Sequence, residues 1–356
     1  MPTDTAVSST CCTVASTMVS ARDVRYSPQT QSLRCRHPAA TTAERTPPAT
    51  GETGAVTATL QAEVRSATVL RFDDGSPVRA ASAVTAYEGG WLVVQDDATH
   101  GAWWVGDAVR RVRVFPPVEG HETFSSAEGT KELKPDLEAG CPVPGGVLLL
   151  GSGSTSRRMR GALLRGADEP VVADLTPVYE AVLAAMGLDA ALLNLEGACL
   201  VGPSLRWFQR GVADVPSMSV DLPLEALLAC FDRPDRAADR VPVTGLRTYD
   251  LGRADGVPLA VTDALALPDG TVLVSAAAED TDDPYEDGTV VASALALLDD
   301  DGVRGMTSLP EVGGEVLKVE GLAPRDVRGD RLEVLAVVDV DDPETPSTAL
   351  TVEVRR

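Results

Sequence analysis

One short phrase returns five times along this chain: a small or acidic residue on an apolar strand, a turn six to nine residues on, then a second apolar strand. The copies read RAASAVTAYEGGWLVVQDD, KPDLEAGCPVPGGVLLLGSGS, LLNLEGACLVGPSLRWFQRG, LAVTDALALPDGTVLVSAAAED and LKVEGLAPRDVRGDRLEVLAVVD. Aligned on the turn, their marker residues are Ser82, Glu138, Glu196, Asp263 and Glu320, spaced 56, 58, 67 and 57 residues apart. Units of that period with several strands each build a radial array of sheets. The predicted fold is therefore all-β, a β-propeller of five blades with six as the alternative.

Each unit follows one plan. Its first turn is Gly89-Gly90, Gly145-Gly146, Gly202-Pro203, Asp269-Gly270 or Gly329-Asp330, pairs that supply positive φ or fix a tight reversal. A dense apolar strand follows, then a third strand and usually a fourth. The final stretch, TALTVEVRR, is one strand short, whereas the alternating segment at Leu60, Ala62 and Val64 has no inner strand of its own. The expectation is that this N-terminal strand completes the last blade and closes the ring, leaving no free sheet edge. Two short helices decorate the blades, one capped by Thr176 with Pro177 at its first position, one opened by Asp221. Residues 1–54, rich in Thr, Ser, Ala and Pro without apolar periodicity, read as a disordered tail or as sequence upstream of the true start. Residues 55–356 form the propeller domain.

Charge narrows the partners. With 53 acidic against 31 basic residues the net charge is −22, which argues against nucleic acid and against an anionic membrane surface. The six cysteines form no metal-ligand spacing or disulfide framework, and neither a signal peptide nor a membrane span is evident. A cytoplasmic monomer is expected. Only three of the basic residues are lysines, and all stand just ahead of a marker acid: Lys131 and Lys134 before Glu138, Lys318 before Glu320.

Convergence of equivalent blade positions would bring Glu138, Glu196, Asp263 and Glu320 into a carboxylate ring, with Ser82 as its neutral member. Like charges so placed must shift their pKa values, recruit a cation or pair with bases. Three roles stay open: ligands of a divalent metal, Ca2+ for preference; catalytic acids or bases; or structural groups that cap backbone amides and pair with Lys134 and Lys318. The ends of the second strands, among them Asp96, Arg210 and Asp339, should gather at one mouth of the ring. There Ser152 and Ser154 of the GSGS run, with Arg157 and Arg158, have the makings of a phosphate cradle, although the run lacks a P-loop ending. Lys134, Arg210 and Lys318 complete the predicted ligand-binding set. The acidic runs 279–288 and 339–344 lack EF-hand spacing, and no nucleophile elbow accompanies His100 or His121.

The stretches KPDLEA, GSGS, NLEGA, FQRG, TDALALPDG, AAAED and KVEGL, in this order over roughly residues 75–355, resemble an uncharacterised propeller family of actinobacteria, a domain of unknown function. More distantly the chain is similar to phytase-like and gluconolactonase-like propellers, in which an inner-strand Glu-Gly lies at the central channel and, in the lactonases, binds a divalent metal. Glu196-Gly197 and Glu320-Gly321 match that pair, whereas Glu138-Ala139 and Asp263-Ala264 differ at the second position. That resemblance implies a metal-dependent hydrolase of an ester, lactone or phosphoester. The alternative is a non-catalytic propeller that binds a small molecule or a protein at the channel mouth. If the tail does not pack, a chain beginning near Ala55 will melt at the temperature of the full chain. A fall of several degrees would show that it does.

Overall fold

A computed structural model describes residues 59–356 apart from 167, 213–214, 234–240, 282–287, 341 and 343. The N-terminal tail and most of the first acidic run lie outside the described residues. Strand β1 (Gln61–Val69) is followed by five sheets in chain order. Blade 1 is β2 (Ala81–Tyr87), β3 (Gly90–Gln95), β4 (His100–Val105) and β5 (Ala108–Arg113). Blade 2 is β6 (Leu137–Val143), β7 (Gly146–Gly151), β8 (Arg160–Leu164) and β9 (Val171–Asp174). Helix α1 (Thr176–Met186) leads to blade 3, made of β10 (Leu195–Val201), β11 (Ser204–Gln209), β12 (Ser217–Pro223) and, after α2 (Leu224–Leu228), β13 (Thr244–Tyr249). Blade 4 is β14 (Arg253–Ala254), β15 (Val257–Ala266), β16 (Val272–Asp280), β17 (Thr289–Asp299) and β18 (Gly302–Ser308). Blade 5 is β19 (Lys318–Arg328), β20 (Arg331–Asp339) and β21 (Thr348–Arg355), with β1 as its outer strand.

Five blades are thus present, and all strand pairs are antiparallel. The inner strands β2, β6, β10, β15 and β19 touch one another in that order, and β19 returns to β2, so the ring is closed. Closure runs through β1, which pairs with β21 from Gln61 opposite Arg355 to Val69 opposite Thr348. Apolar residues from facing sheets fill the space between blades; Leu148, Leu150, Trp207 and Leu205 are among those shielding blades 2 and 3.

Two glycines let inner strands approach. A Cβ on Gly197 would lie 2.4 Å from the Ala264 nitrogen, and one on Gly321 would lie 2.7 Å from the Val84 nitrogen. Both follow a channel glutamate, so the Glu-Gly pairs are packing requirements of the ring. At the outer part of blades 3 and 4, the buried Arg206 on β11 bonds Asp221 on β12 at 2.8 Å and Asp300, from the turn after β17, at 3.0 Å. Asp221 is therefore no helix opener: it lies within β12, held by Arg206 and Arg247, and α2 begins three residues later. Thr176 also moves by one place, to the first residue of α1, where its N–H donates to the Asp174 carboxylate. Helix α1 packs Val178, Tyr179, Val182 and Met186 onto the sheets, Tyr179 edge-on to Trp207 at 4.9 Å. It is padding, as its apolar face predicts. No helix among the described residues is long and apolar enough to cross a membrane.

Removing residues 55–72 should expose the edge of β21 and the core beneath Leu60, Leu70 and Phe72. The expected product aggregates or unfolds without a cooperative transition in calorimetry. A soluble, cooperatively melting product would contradict closure by β1.

Candidate functional site

In every blade the pairing of the inner strand with the second strand slips by one residue near its start. The extra residue is Ser82 in β2, Glu138 in β6, one of Glu196 and Gly197 in β10, Thr262 in β15 and Glu320 in β19. A β-bulge of this kind re-aims a side chain that would otherwise join the pleat. The five positions correspond, and two hydroxyls show it directly. Ser82 donates to the Leu137 carbonyl at 2.6 Å, and Thr262 to the Val319 carbonyl at 2.5 Å, each acceptor being the residue before the next blade's bulged glutamate.

The ring is therefore Ser82, Glu138, Glu196, Thr262 and Glu320. Asp263, expected at the blade 4 position, lies one residue along. It is buried outside the cavity wall, and its Oδ2 accepts the Leu322 N–H of blade 5 at 2.6 Å. Of the four expected ring acids it alone serves as a backbone cap.

The mouth of the channel is a cavity of about 600 Å³, with Glu138, Glu196 and Glu320 in its wall. Lysines and arginines interleave with the acids. Lys134 Nζ contacts Asp96 and lies 2.6 Å from Asp136, whose other oxygen meets Arg158 at 2.9 Å. Arg210 bonds Glu196 at 3.0 Å and contacts Glu279, and Lys318 bridges Glu279 at 3.2 Å and Glu320 at 2.8 Å. Asn194 donates to the same Glu196 oxygen at 3.0 Å. Lys134 thus pairs with acids flanking Glu138, while Glu138 itself has no hydrogen bond or ion pair among the described residues.

The GSGS loop does not form the expected anion cradle. Ser152 is buried away from the cavity, and its hydroxyl turns to Asp136 and, at 2.8 Å, to Ser154. The loop already holds an anion, the Asp136 carboxylate, whose backbone adopts a φ of 55°. Ser154 reaches the cavity wall, and Arg158 turns inward beside it. Arg157 stays at the exposed rim, paired with Glu119 at 2.9 Å. His100 is packed against Phe72, and burial lowers its pKa to about 4.

Asp136 was missed as a site residue, and Glu279, expected at the mouth as a second-strand end, was assigned no role there. Asp136 stands two places before its bulged glutamate, as Asn194 does before Glu196 and Lys318 before Glu320, so this second register was visible in the repeat. Glu279 ends a second strand in the manner of Arg210, but its role depends on contacts across a blade boundary.

Among the described residues the cations Lys134, Arg158, Arg210 and Lys318 are outnumbered by the carboxyls of Asp96, Asp136, Glu138, Glu196, Asp263, Glu279 and Glu320, and three of those acids hold their protons to higher pH than usual. Burial, reinforced by Asp136 and Asp96, pushes Glu138 well above the usual carboxylate range. Burial also raises Glu196 to about 7, against the pull of Arg210 and with the help of Glu320. Asp263 is driven well up by burial despite its backbone donors. Asp136 moves the other way: burial opposes its ionisation, but Lys134 and Arg158 prevail and hold it low. Burial would likewise neutralise Lys134, yet Asp136 and Asp96 keep it firmly charged.

Residues 130–343 match a "Family of unknown function (DUF6910)". No curated protein matches the sequence significantly. Among solved structures, glutaminyl cyclase of Myxococcus xanthus aligns over 81% of this chain and 96% of its own, at 9% identity and a TM-score of 0.39. The N-terminal domain of Nup159 aligns over 84% and 98%, at 10% identity and a TM-score of 0.31. AztD of Citrobacter koseri aligns over 76% and 73%, at 9% identity and a TM-score of 0.27.

The raised carboxyls set the pH response of stability. Below about pH 4.5 Glu196 is protonated in both folded and unfolded chains; from there to about 7 only the unfolded chain has released the proton. Stability should fall across that window and level off above it. Glu138 and Asp263 act in the same direction, whereas the contribution of Asp136 is lost only as the pH falls below 3.8. Melting temperature measured against pH should decline from 4.5 to 7, less steeply in Glu196→Gln. A rise over that range would contradict the protonated ring.

Proposed function

The chain belongs to DUF6910, a family of unknown function, so its role must be read from its own channel, and we propose that the propeller is a binding module for a small polar molecule held at the channel mouth. The observation behind this reading is that Lys134, Arg210 and Lys318 lie in the cavity wall, each between two acids. Side-chain cations supply there the charge that a metal would otherwise contribute. They also supply directional donors, three on each ammonium and a planar fork on the guanidinium, which suits recognition of a polar ligand. A volume of about 600 Å³ falls within the range of small-molecule sites.

A second reading, a divalent-metal-dependent hydrolase of an ester, lactone or phosphoester, is favoured by one feature. Oxygens of Asp96, Asp136 and Glu138 lie within 4.8 Å of one another. Bound Ca2+ would polarise a substrate oxygen there. However, Lys134 already contacts two of those three acids, and a hard cation needs about six to eight oxygen ligands. The residues present suit an ammonium better than Ca2+.

Melting with EDTA and with excess Ca2+ separates the readings, because a metal bound only by the native state raises its stability. The binding-module reading expects the same melting temperature in both. It also expects Lys134→Met to lose about 3–5 kcal/mol, the cost of stripping a buried pair of one partner. A Ca2+-dependent rise, with Lys134→Met tolerated, would overturn it in favour of the hydrolase.

A further inference from the structure

We propose that the ligand carries a protonated amine, and that this organic ammonium seats on the Glu138 carboxyl in the channel wall. The inference rests on the small-molecule reading of the cavity and assigns its ligand class.

Among the described residues this network holds more carboxyls than cations, and the surplus can be located. Each of Lys134, Arg158, Arg210 and Lys318 is committed to other carboxyls. Of the acids in surplus, Asp263 lies outside the wall with an oxygen on a backbone N–H. Glu196 shares one oxygen with Arg210 and Asn194. Its other oxygen, on a residue only 5% exposed, has no hydrogen-bond partner. Glu138 is half-buried in the wall and has no hydrogen bond or ion pair among the described residues. The neighbouring inner strands β6 and β10 thus place a carboxyl without an ion pair in the wall and, buried behind it, a carboxyl oxygen without a hydrogen-bond partner among the described residues. An ammonium offers three N–H donors and one positive charge, which is what Glu138 lacks.

An organic cation suits this carboxyl better than an inorganic one. Lys134 leaves Glu138 as the one acid of the Asp96–Asp136–Glu138 group without an ion pair among the described residues. An ammonium that seats there replaces the proton that burial favours on Glu138, and the carboxylate so formed makes a good charge-assisted hydrogen bond to nitrogen but is alone a poor site for a hard divalent ion. The cavity also has room for the carbon frame that accompanies an amine.

Butylammonium chloride, sodium butyrate and 1-butanol form a probe series that changes charge at nearly constant shape. Saturation-transfer NMR on the full chain at matched ionic strength should show binding of butylammonium in preference to the other two. Glu138→Gln should weaken that binding at least about tenfold, equivalent to ~1.4 kcal/mol. In the unmutated protein the side-chain carboxyl 13C signal of Glu138 should move on adding butylammonium and not butanol, a readout that does not depend on any variant folding. Preference for butyrate or butanol would leave the pocket reading standing and overturn the amine. Equal butylammonium binding by Glu138→Gln, or an unmoved Glu138 signal, would overturn it too. If none of the three probes binds, both readings fall.

Discussion

Crowding of like charge at the axis is the condition that the rest of this structure answers. A closed five-blade ring brings equivalent parts of its inner strands together, and at those bulges Ser82, Glu138, Glu196 and Glu320 stand in the cavity wall. Three of those positions are glutamates. Uncompensated burial of three carboxylates would cost far more than a domain's net stability. The chain offsets it with internal cations drawn from the residues two places upstream and from the ends of second strands, and burial raises the pKa of Glu138 and Glu196. The two hydroxyl positions, Ser82 and Thr262, instead donate to carbonyls of the following blade and carry no charge.

Ring geometry and site chemistry are consequently the same set of contacts. Gly197 and Gly321 allow the close approach that sets the channel width, and each sits directly after a wall glutamate. Asp263 caps Leu322 across the next blade boundary, so one inner strand is registered to its neighbour by a carboxyl rather than by a hydroxyl alone. Most of these side chains have little freedom to rearrange. Glu138 is the exception, because no hydrogen bond or ion pair among the described residues holds it.

Much of this was legible in the sequence, for physical reasons that can be named. The period and the Gly-containing turns required repeated antiparallel sheets, and the orphan strand at Leu60 required closure by the chain's two ends. Lysine scarcity pointed to Lys134 and Lys318, which pair with Asp96, Asp136, Glu279 and Glu320. Asp263 was misplaced because an acid at an approximate spacing was preferred over the true register. Thr262 precedes Asp269 by seven residues, as Ser82 precedes Gly89 and Glu138 precedes Gly145, and that spacing was the better guide. Asp221 was misread because a helix-opening residue type also serves as the partner of a buried arginine. The contacts of Glu279 with Arg210 and Lys318 join different blades, and no local pattern encodes them.

The central claim is that side-chain cations, not a metal, complete the channel. A high-resolution crystal structure of protein grown in millimolar CaCl2 tests it directly. The account predicts Lys134 Nζ lodged between Asp96 and Asp136, with no anomalous calcium signal beside Glu138. Calcium bound to those three acids, with Lys134 turned out of the cluster, would contradict it.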